Sequence, residues 1–368
     1  MLVGTEQISQ EFRSLLDSFQ GIRLASNDDA TRLAEFVNRT AMSTGRLKVG
    51  FNRGNDYFSL LRLQGEKYSV LICEENGQVV ALGAVTFRKA MVRGMQRWVG
   101  YFQDLRVAES AQHRSRVQFY KCFSEFVRLC PTLSEFDHCS VFLTAILDEN
   151  AAALAALSRP SFALEYTRLM SYTAHAWPKL PAHFLQFGKK REVSEGEINE
   201  LVEFYSQRRA GYAFDLTQSD IERLLTHAHP VVIRSEGEIV AACLLVQTHS
   251  ERCLMLRYDG LANSWRGSGL YISALRLSGR LSARDEKILR NRIIRKALWV
   301  AAHLPGAFVG IVNENRSSAQ LSADLNGTSV HTQGSLYRVY HPEHTKMNDF
   351  SNGFLRPSHG AALEWVFM

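Results

Sequence analysis

Hydrophobic and polar positions along this chain fall into two kinds of rhythm, one of period two and one of period near 3.6. Residues 98–107 carry Trp98, Val99, Tyr101, Phe102, Leu105 and Val107, the aromatic and β-branched content of a strand. A polar, basic turn follows, with Gln112, His113, Arg114, Ser115 and Arg116 in succession. Phe119, Phe123, Phe126 and Val127 then stand at i, i+4, i+7 and i+8, one face of a helix. A strand that enters a helix through a basic loop is a device for holding phosphate, because free N–H groups and the helix dipole face the anion. Arg114 and Arg116 would add charge-assisted bonds. An ordinary βα connection with a solvated loop shares the pattern, and both readings stand at this point.

The rest of the first half fits around that stretch. The spacing predicts an amphipathic helix over 8–19, a short strand at 22–25, and a second helix carrying Ala30, Leu33, Ala34 and Val37, opened by Ser26 with Asp29 three residues on. Residues 45–65 are rich in Gly, Asn and Arg and read as an irregular or partly helical loop. Strands at 68–73 and 79–87 flank the turn Glu74-Glu75-Asn76-Gly77. After the helix come a strand at 140–147, the corner Asp148-Glu149-Asn150, a short helix at 151–157 and a strand at 166–174. Antiparallel hairpins followed by a βαβ crossover give an α+β class with a mixed sheet.

Pro178 and Pro181 mark a linker at 177–181. Beyond it the order returns. Ser194 and Glu197 form a capping box before Ile198, Leu201, Val202 and Tyr205, and a hairpin over 231–247 turns at Glu236-Gly237. Residues 308–315 mirror 142–150, with Asn315 in the place of Asn150, and 336–340 would close the set. Residues 271–277 align with 101–107, which puts Arg284 opposite Gln112 and gives a helix face of Ile294, Ala297, Leu298 and Ala301. A rival register pairs 255–261 with the central strand, but it leaves a long surplus helix. Two copies of one unit account for 368 residues better than a single core does.

Composition changes this picture little. With 43 Lys and Arg against 37 Asp and Glu, the net charge of +6 favours acidic ligands or partners mildly. The series Arg290, Arg292, Arg295 and Lys296 lacks interleaved aromatics and reads as the solvated side of a helix, so nucleic acid is not expected. No apolar run is long enough to span a membrane, and no signal-peptide order opens the chain. The six cysteines contain no C-x-x-C pair and sit in apolar patterns. They read as buried thiols in a reducing, cytoplasmic setting. His341 and His344 have no third ligand nearby, so no metal is expected.

The element order, the strand containing Asp104-Leu105-Arg106-Val107, and Asn150 after the next strand resemble the GNAT N-acetyltransferase superfamily, arranged as two tandem GNAT-like lobes. The resemblance implies an α+β fold in which each lobe is a mixed, mostly antiparallel sheet flanked by helices. It sets an N-terminal lobe at 1–177, a degenerate C-terminal lobe at 182–345 and a tail at 346–368. It also implies an acyl-CoA-dependent N-acyltransferase, with acetyl-CoA or another acyl-CoA as donor and an unidentified amine as acceptor. Acyl carrier protein is a variant donor, and a non-catalytic ligand-sensing module is the alternative from another class.

Within the resemblance, pantetheine pairs with the strand at Leu105 and Val107, and the pyrophosphate meets Gln112, Arg114, Ser115 and Arg116. Asn150 is a cofactor-side hydrogen-bond group in the family, and a helix N-cap by its own chemistry. The family's phosphate loop has glycines where Ser115 and Val117 stand, and a β-branched side chain crowds close backbone approach. In the second lobe Asp285 and Glu286 would repel phosphate. The helix after Asn150 has none of the tyrosines that serve the family as thiolate acid. Asp104 is the candidate general base, set against a salt bridge to Arg106 or another cation.

Overall fold

The computed structural model describes residues 1–347 apart from 5–6, 41, 45–46, 93–94, 158–162, 179–194, 208–216, 248–252, 259–263, 280 and 315–329. The first half runs α1 (Gln10–Asp17), β1 (Ile22–Leu24), α2 (Ala30–Arg39), β2 (Met42–Thr44), β3 (Leu47–Asn52), α3 (Phe58–Gln64), β4 (Lys67–Glu75), β5 (Gln78–Val92), β6 (Met95–Val107), α4 (His113–Leu129), β7 (Val141–Leu147), α5 (Ala151–Leu157) and β8 (Glu165–Pro178). The second runs α6 (Glu195–Gln207), α7 (Gln218–Leu225), β9 (Ala228–Ser235), β10 (Glu238–Gln247), β11 (Cys253–Tyr258), β12 (Ser264–Leu277), α8 (Ala283–Ala302), β13 (Phe308–Glu314) and β14 (Val330–Tyr340).

Local chemistry explains the elements that position the site. The Ser26–Asp29 capping box forms ahead of α2. Arg23 and Arg32 both bind the Asp29 carboxylate, and these bonds, Arg23 first, hold its pKa below the ordinary value although burial opposes them. On α4, Phe119, Phe123, Phe126 and Val127 are all buried. They pack with Phe12, Phe102, Phe136 and Phe142 beneath the sheet. The hairpin turns Asn76-Gly77 and Glu236-Gly237 have both residues at positive φ, 49° and 76° against 52° and 90°, the twist that joins two-residue hairpins.

The described strands form one sheet. Its main path is β1-β4-β5-β6-β7-β14-β8-β13-β12-β11-β3-β2, and β9 and β10 join through β12. In the first half β4, β5 and β6 are antiparallel, and β6 then runs parallel to β7. In the second half β9, β10 and β12 are antiparallel, and β12 runs parallel to β13. The closing strands are exchanged. β14 pairs with β7 of the first half, while β8 pairs with β13 of the second. β8 and β14 pair with each other at the centre, where a Cβ on Gly334 would lie 2.3 Å from the Tyr172 ring.

The expected linker starts later than Trp177, because β8 extends through Trp177 to Pro178 and pairs there with Phe308 and Val309. Residues 179–181, and with them Ser194 and Asn315, lie outside the described residues. The preferred register holds. β12 contains 271–277, and both β6 and β12 carry one left-handed bulge residue at the aligned position, Asp104 (φ 53°) and Ala274 (φ 51°). The rival segment is the separate strand β11.

Three elements were not expected. β2 arises just before the supposed loop and β3 inside it, and β3 pairs with β11 of the second half. α7 rests on β5 through a buried ion pair, Arg88 Nη1 to Asp220 at 3.1 Å, while Arg223 Nε donates to the Leu63 carbonyl at 2.9 Å. One apolar core spans both halves, with Leu60, Leu63 and Tyr101 against Leu201, Phe204, Ile221 and Leu224.

Candidate functional site

β6 and β7 pair only where Val99–Phe102 lie beside Val141–Thr144, and Thr144 Oγ1 closes that stretch on the Phe102 carbonyl at 3.2 Å. Beyond it the two parallel strands separate. β7 continues against β14 and β6 against β5, so residues 103–107 have no strand partner on the β7 side among the described residues. A wedge results, bounded by residues 103–107 and 145–147. A glycine at 100 makes the closed end possible, because a Cβ there would meet the Phe142 ring at 2.5 Å. The second half has the same form, with pairing confined to 269–271 against 308–310.

The bulge at Asp104 decides what each side chain of β6 faces. Leu105 turns toward α4, where it converges with Phe119 and Phe123 on Gly83. Asp104 turns to the opposite side, toward α2 and α3. Its carboxylate pairs with Arg53, accepts from Tyr57 Oη at 3.2 Å and lies 3.3 Å from Arg106 Nη2. Arg106 also donates to the carbonyls of Val37 and Thr40 at the end of α2. Burial first, then the Asp104 charge, raises the Tyr57 pKa well above its ordinary value, so this phenol is a donor and not a base. Two guanidiniums and a phenol surround the Asp104 carboxylate. The salt bridge weighed against the base from sequence is therefore present, and it is double. Arg53 and Tyr57 were missed because they lie in a segment without periodicity.

The strand runs from the wedge into the basic loop and the N-terminus of α4, so Leu105, Val107, Gln112, Arg114, Ser115 and Arg116 lie along one continuous path. Three of these residues have contacts within the protein. Gln112 is the N-cap by position, and its backbone N–H donates to Glu75 Oε1 at 2.9 Å. An acidic side chain from the β4–β5 turn thus lies on the anion-holding end of the helix. Arg116 folds back on the carbonyls of Ala108, Glu109 and Ala111 at 2.5–3.0 Å, so it braces the loop. Ser115 turns toward the Cys73 thiol, whose pKa burial pushes up to about 11, with the Glu75 charge adding and Ser115 opposing. Arg114 stands exposed in the first turn. In the second half Ser282 caps α8, accepting from the Asp285 amide, and Asp285 and Glu286 set negative charge in the first turn, where the helix dipole favours it.

Asn150 follows β7 on the other wall of the wedge. Its Oδ1 accepts from the Ala153 amide at 3.1 Å and caps α5. Among the described residues no cluster of ligating side chains could hold a metal, and no described helix is long and apolar enough to cross a membrane. Cys73, Cys122, Cys130, Cys139 and Cys243 are buried and form no disulfide among the described residues.

Solved structures with this arrangement exist. Saccharomyces cerevisiae N-myristoyltransferase with bound myristoyl-CoA superposes with a TM-score of 0.60 at 11% identity, over 88% of this chain and 83% of that one. A second structure of that protein gives 0.60 at 12%, over 92% and 82%. The GCN5-related glucosamine N-acetyltransferase region of a fungal multi-domain GH3 β-N-acetylglucosaminidase gives 0.56 at 11%, over 87% of this chain and 38% of that one. This chain shares the fold of these N-acyltransferase structures. At these identities the likeness is one of fold. No family model matches the sequence, and no curated protein sequence does.

Proposed function

We propose that this protein is an acyl-CoA-dependent N-acyltransferase that binds its donor in the first half of the chain. The observation that carries the reading is the wedge after Phe102 leading directly to the N-terminus of α4. An unpaired strand edge offers backbone groups to an extended pantetheine arm, and a helix start offers N–H groups to the pyrophosphate. The second half has the wedge but places Asp285 and Glu286 at its helix start, so it serves as a structural and acceptor-side copy. Neighbours of the same fold hold myristoyl-CoA, which supports a thioester donor and leaves acetyl and longer chains as the two arms of a test.

In the reaction the acceptor nitrogen attacks the thioester carbon. A C–N bond forms, the C–S bond breaks, the amine loses a proton, and the thiolate of CoA takes one up. Asp104, proposed from sequence as the base, is assigned a positioning role, because Arg53 and Arg106 both hold its carboxylate. Asn150 is assigned as the cap that fixes α5 on the far wall. The Glu75 contact on the Gln112 amide favours a second reading, a ligand-sensing module without turnover. The test is release of free CoA thiol from acetyl-, octanoyl- and myristoyl-CoA with a library of amines. Amine-dependent release supports catalysis. CoA binding without release from any pair supports the module, and absence of binding ends both.

A further inference from the structure

We propose that Arg53 recognises a carboxylate on the acceptor, so that the substrates are carboxylated amines such as amino acids; this rests on the donor lying along β6 in the first half. Arg53 is 4% exposed, in the segment between β3 and α3. One of its terminal nitrogens, Nη2, binds Asp104, and its ring-face contact is Tyr57, 5.9 Å from the guanidinium carbon. Its other two nitrogens, Nε and Nη1, are buried and have no hydrogen-bond partner among the described residues. A guanidinium does not lose its proton on burial, and a buried donor left unmade is costly.

The charges are unbalanced in the same direction. Among the described residues Arg53 and Arg106 face a single carboxylate, Asp104. Both terminal nitrogens of Arg106 are engaged, with the carbonyls at the end of α2 and with Asp104, which leaves only its Nε without a partner among the described residues, whereas Arg53 has both Nε and Nη1 to spare. The cluster is not needed to build the strand. β12 makes the same left-handed bulge at Ala274 without a carboxylate there. The set Arg53, Tyr57 and Asp104 is thus an addition to the first half, buried against the strand that forms one wall of its wedge.

The position selects the acceptor over the donor. Leu105 faces α4, the side where the phosphates of CoA would meet the helix start. Asp104, and Arg53 with it, face α2 and α3, the opposite side of the sheet. β3, which ends one residue before Arg53, pairs with β11 of the second half. The unsatisfied donors therefore lie on the face of β6 away from the phosphate end, next to a junction of both halves, where an amine with an attached carboxylate would be oriented by its anionic end.

The test uses the full chain in the presence of CoA. A panel of N-acetyl amino acids and the matching N-acetyl amino amides serves as probes, read by saturation-transfer NMR, with CoA affinity measured separately by calorimetry. The carboxylates should bind about tenfold or more tightly than their amides, the discrimination expected of a charged bond to a buried partner. Arg53→Met should abolish that preference and leave CoA affinity unchanged. Arg53→Lys keeps a charge beside Asp104 and should retain part of it, which separates loss of recognition from loss of fold. Equal binding of carboxylates and amides, or no probe binding, overturns the assignment. A carboxylate preference without CoA binding would leave Arg53 as an anion site and remove the donor reading alone.

Discussion

Asp104 stands where the backbone of β6 turns left-handed, and its partners decide what it can do. Its carboxylate is shared by Arg53, Arg106 and Tyr57. Asp104→Asn retains the shape and frees Arg53. If Asp104 positions Arg53, kcat should fall less than about tenfold, the acceptor KM should rise, and the acidic limb of the pH–rate profile should stay in place. Loss of that limb with turnover abolished would restore the base assignment. Glu75 is the second residue whose effect is readable alone. Its carboxylate occupies the Gln112 amide, so Glu75→Gln removes a like charge from the phosphate end of α4. CoA should bind more tightly by about 0.5–1 kcal/mol, the size of a charge at a helix terminus, as measured by calorimetry. Weaker binding would mean that Glu75 holds the loop for the ligand.

The elements that sequence made legible are those whose pattern is local. The aromatic face of α4, the Ser26–Asp29 box and the two hairpin turns each follow from residues within one or two turns of one another. The register 101–107 against 271–277 was legible too, although neither bulge could be seen, since Asp104 and Ala274 have nothing in common but backbone. What was not legible depends on distant partners. β3 alternates Leu47, Val49 and Phe51 with Lys48, Gly50 and Asn52, but it is short, lies among Gly, Asn and Arg, and has its partner β11 roughly two hundred residues away, and α7 is fixed by Arg88 of β5. The same holds at the site. The path from Leu105 to Arg116 was readable along the chain, whereas Arg53 and Tyr57 reach Asp104 only through the fold. At the closed end of the wedge Gly100 is required by contact, so Gly100→Ala should destabilise by about 1–3 kcal/mol. Urea unfolding reads that change, and an unaltered midpoint would mean that the Phe142 ring gives way.

Across the whole molecule, exchange of β8 and β14 makes each half complete only with the other. The ion pair of Arg88 with Asp220, both buried, adds a polar lock between them. Burial raises the Asp220 pKa, but Arg88, Arg223 and the Thr217 amide outweigh it, and the net shift is downward. A carboxyl with a folded pKa below its unfolded value of 3.8 contributes stability that is complete above that value. That contribution is lost as pH falls through the folded value. Asp220→Asn leaves Arg88 without its anion and should cost about 3–5 kcal/mol at neutral pH. The difference from the unmodified protein should shrink below pH 3.8. A pH-independent difference in melting would contradict the linkage.

The central claim is that an acyl-CoA lies along the open edge of β6 and the start of α4 and nowhere else in the chain. Hydrogen exchange of the full protein with and without CoA measures this directly, because the ligand would cover backbone amides. Protection is predicted at residues 103–107 and 112–116, with 272–277 and the first turn of α8 unchanged. Protection confined to the second half, or no CoA-dependent change at 103–107, would contradict it.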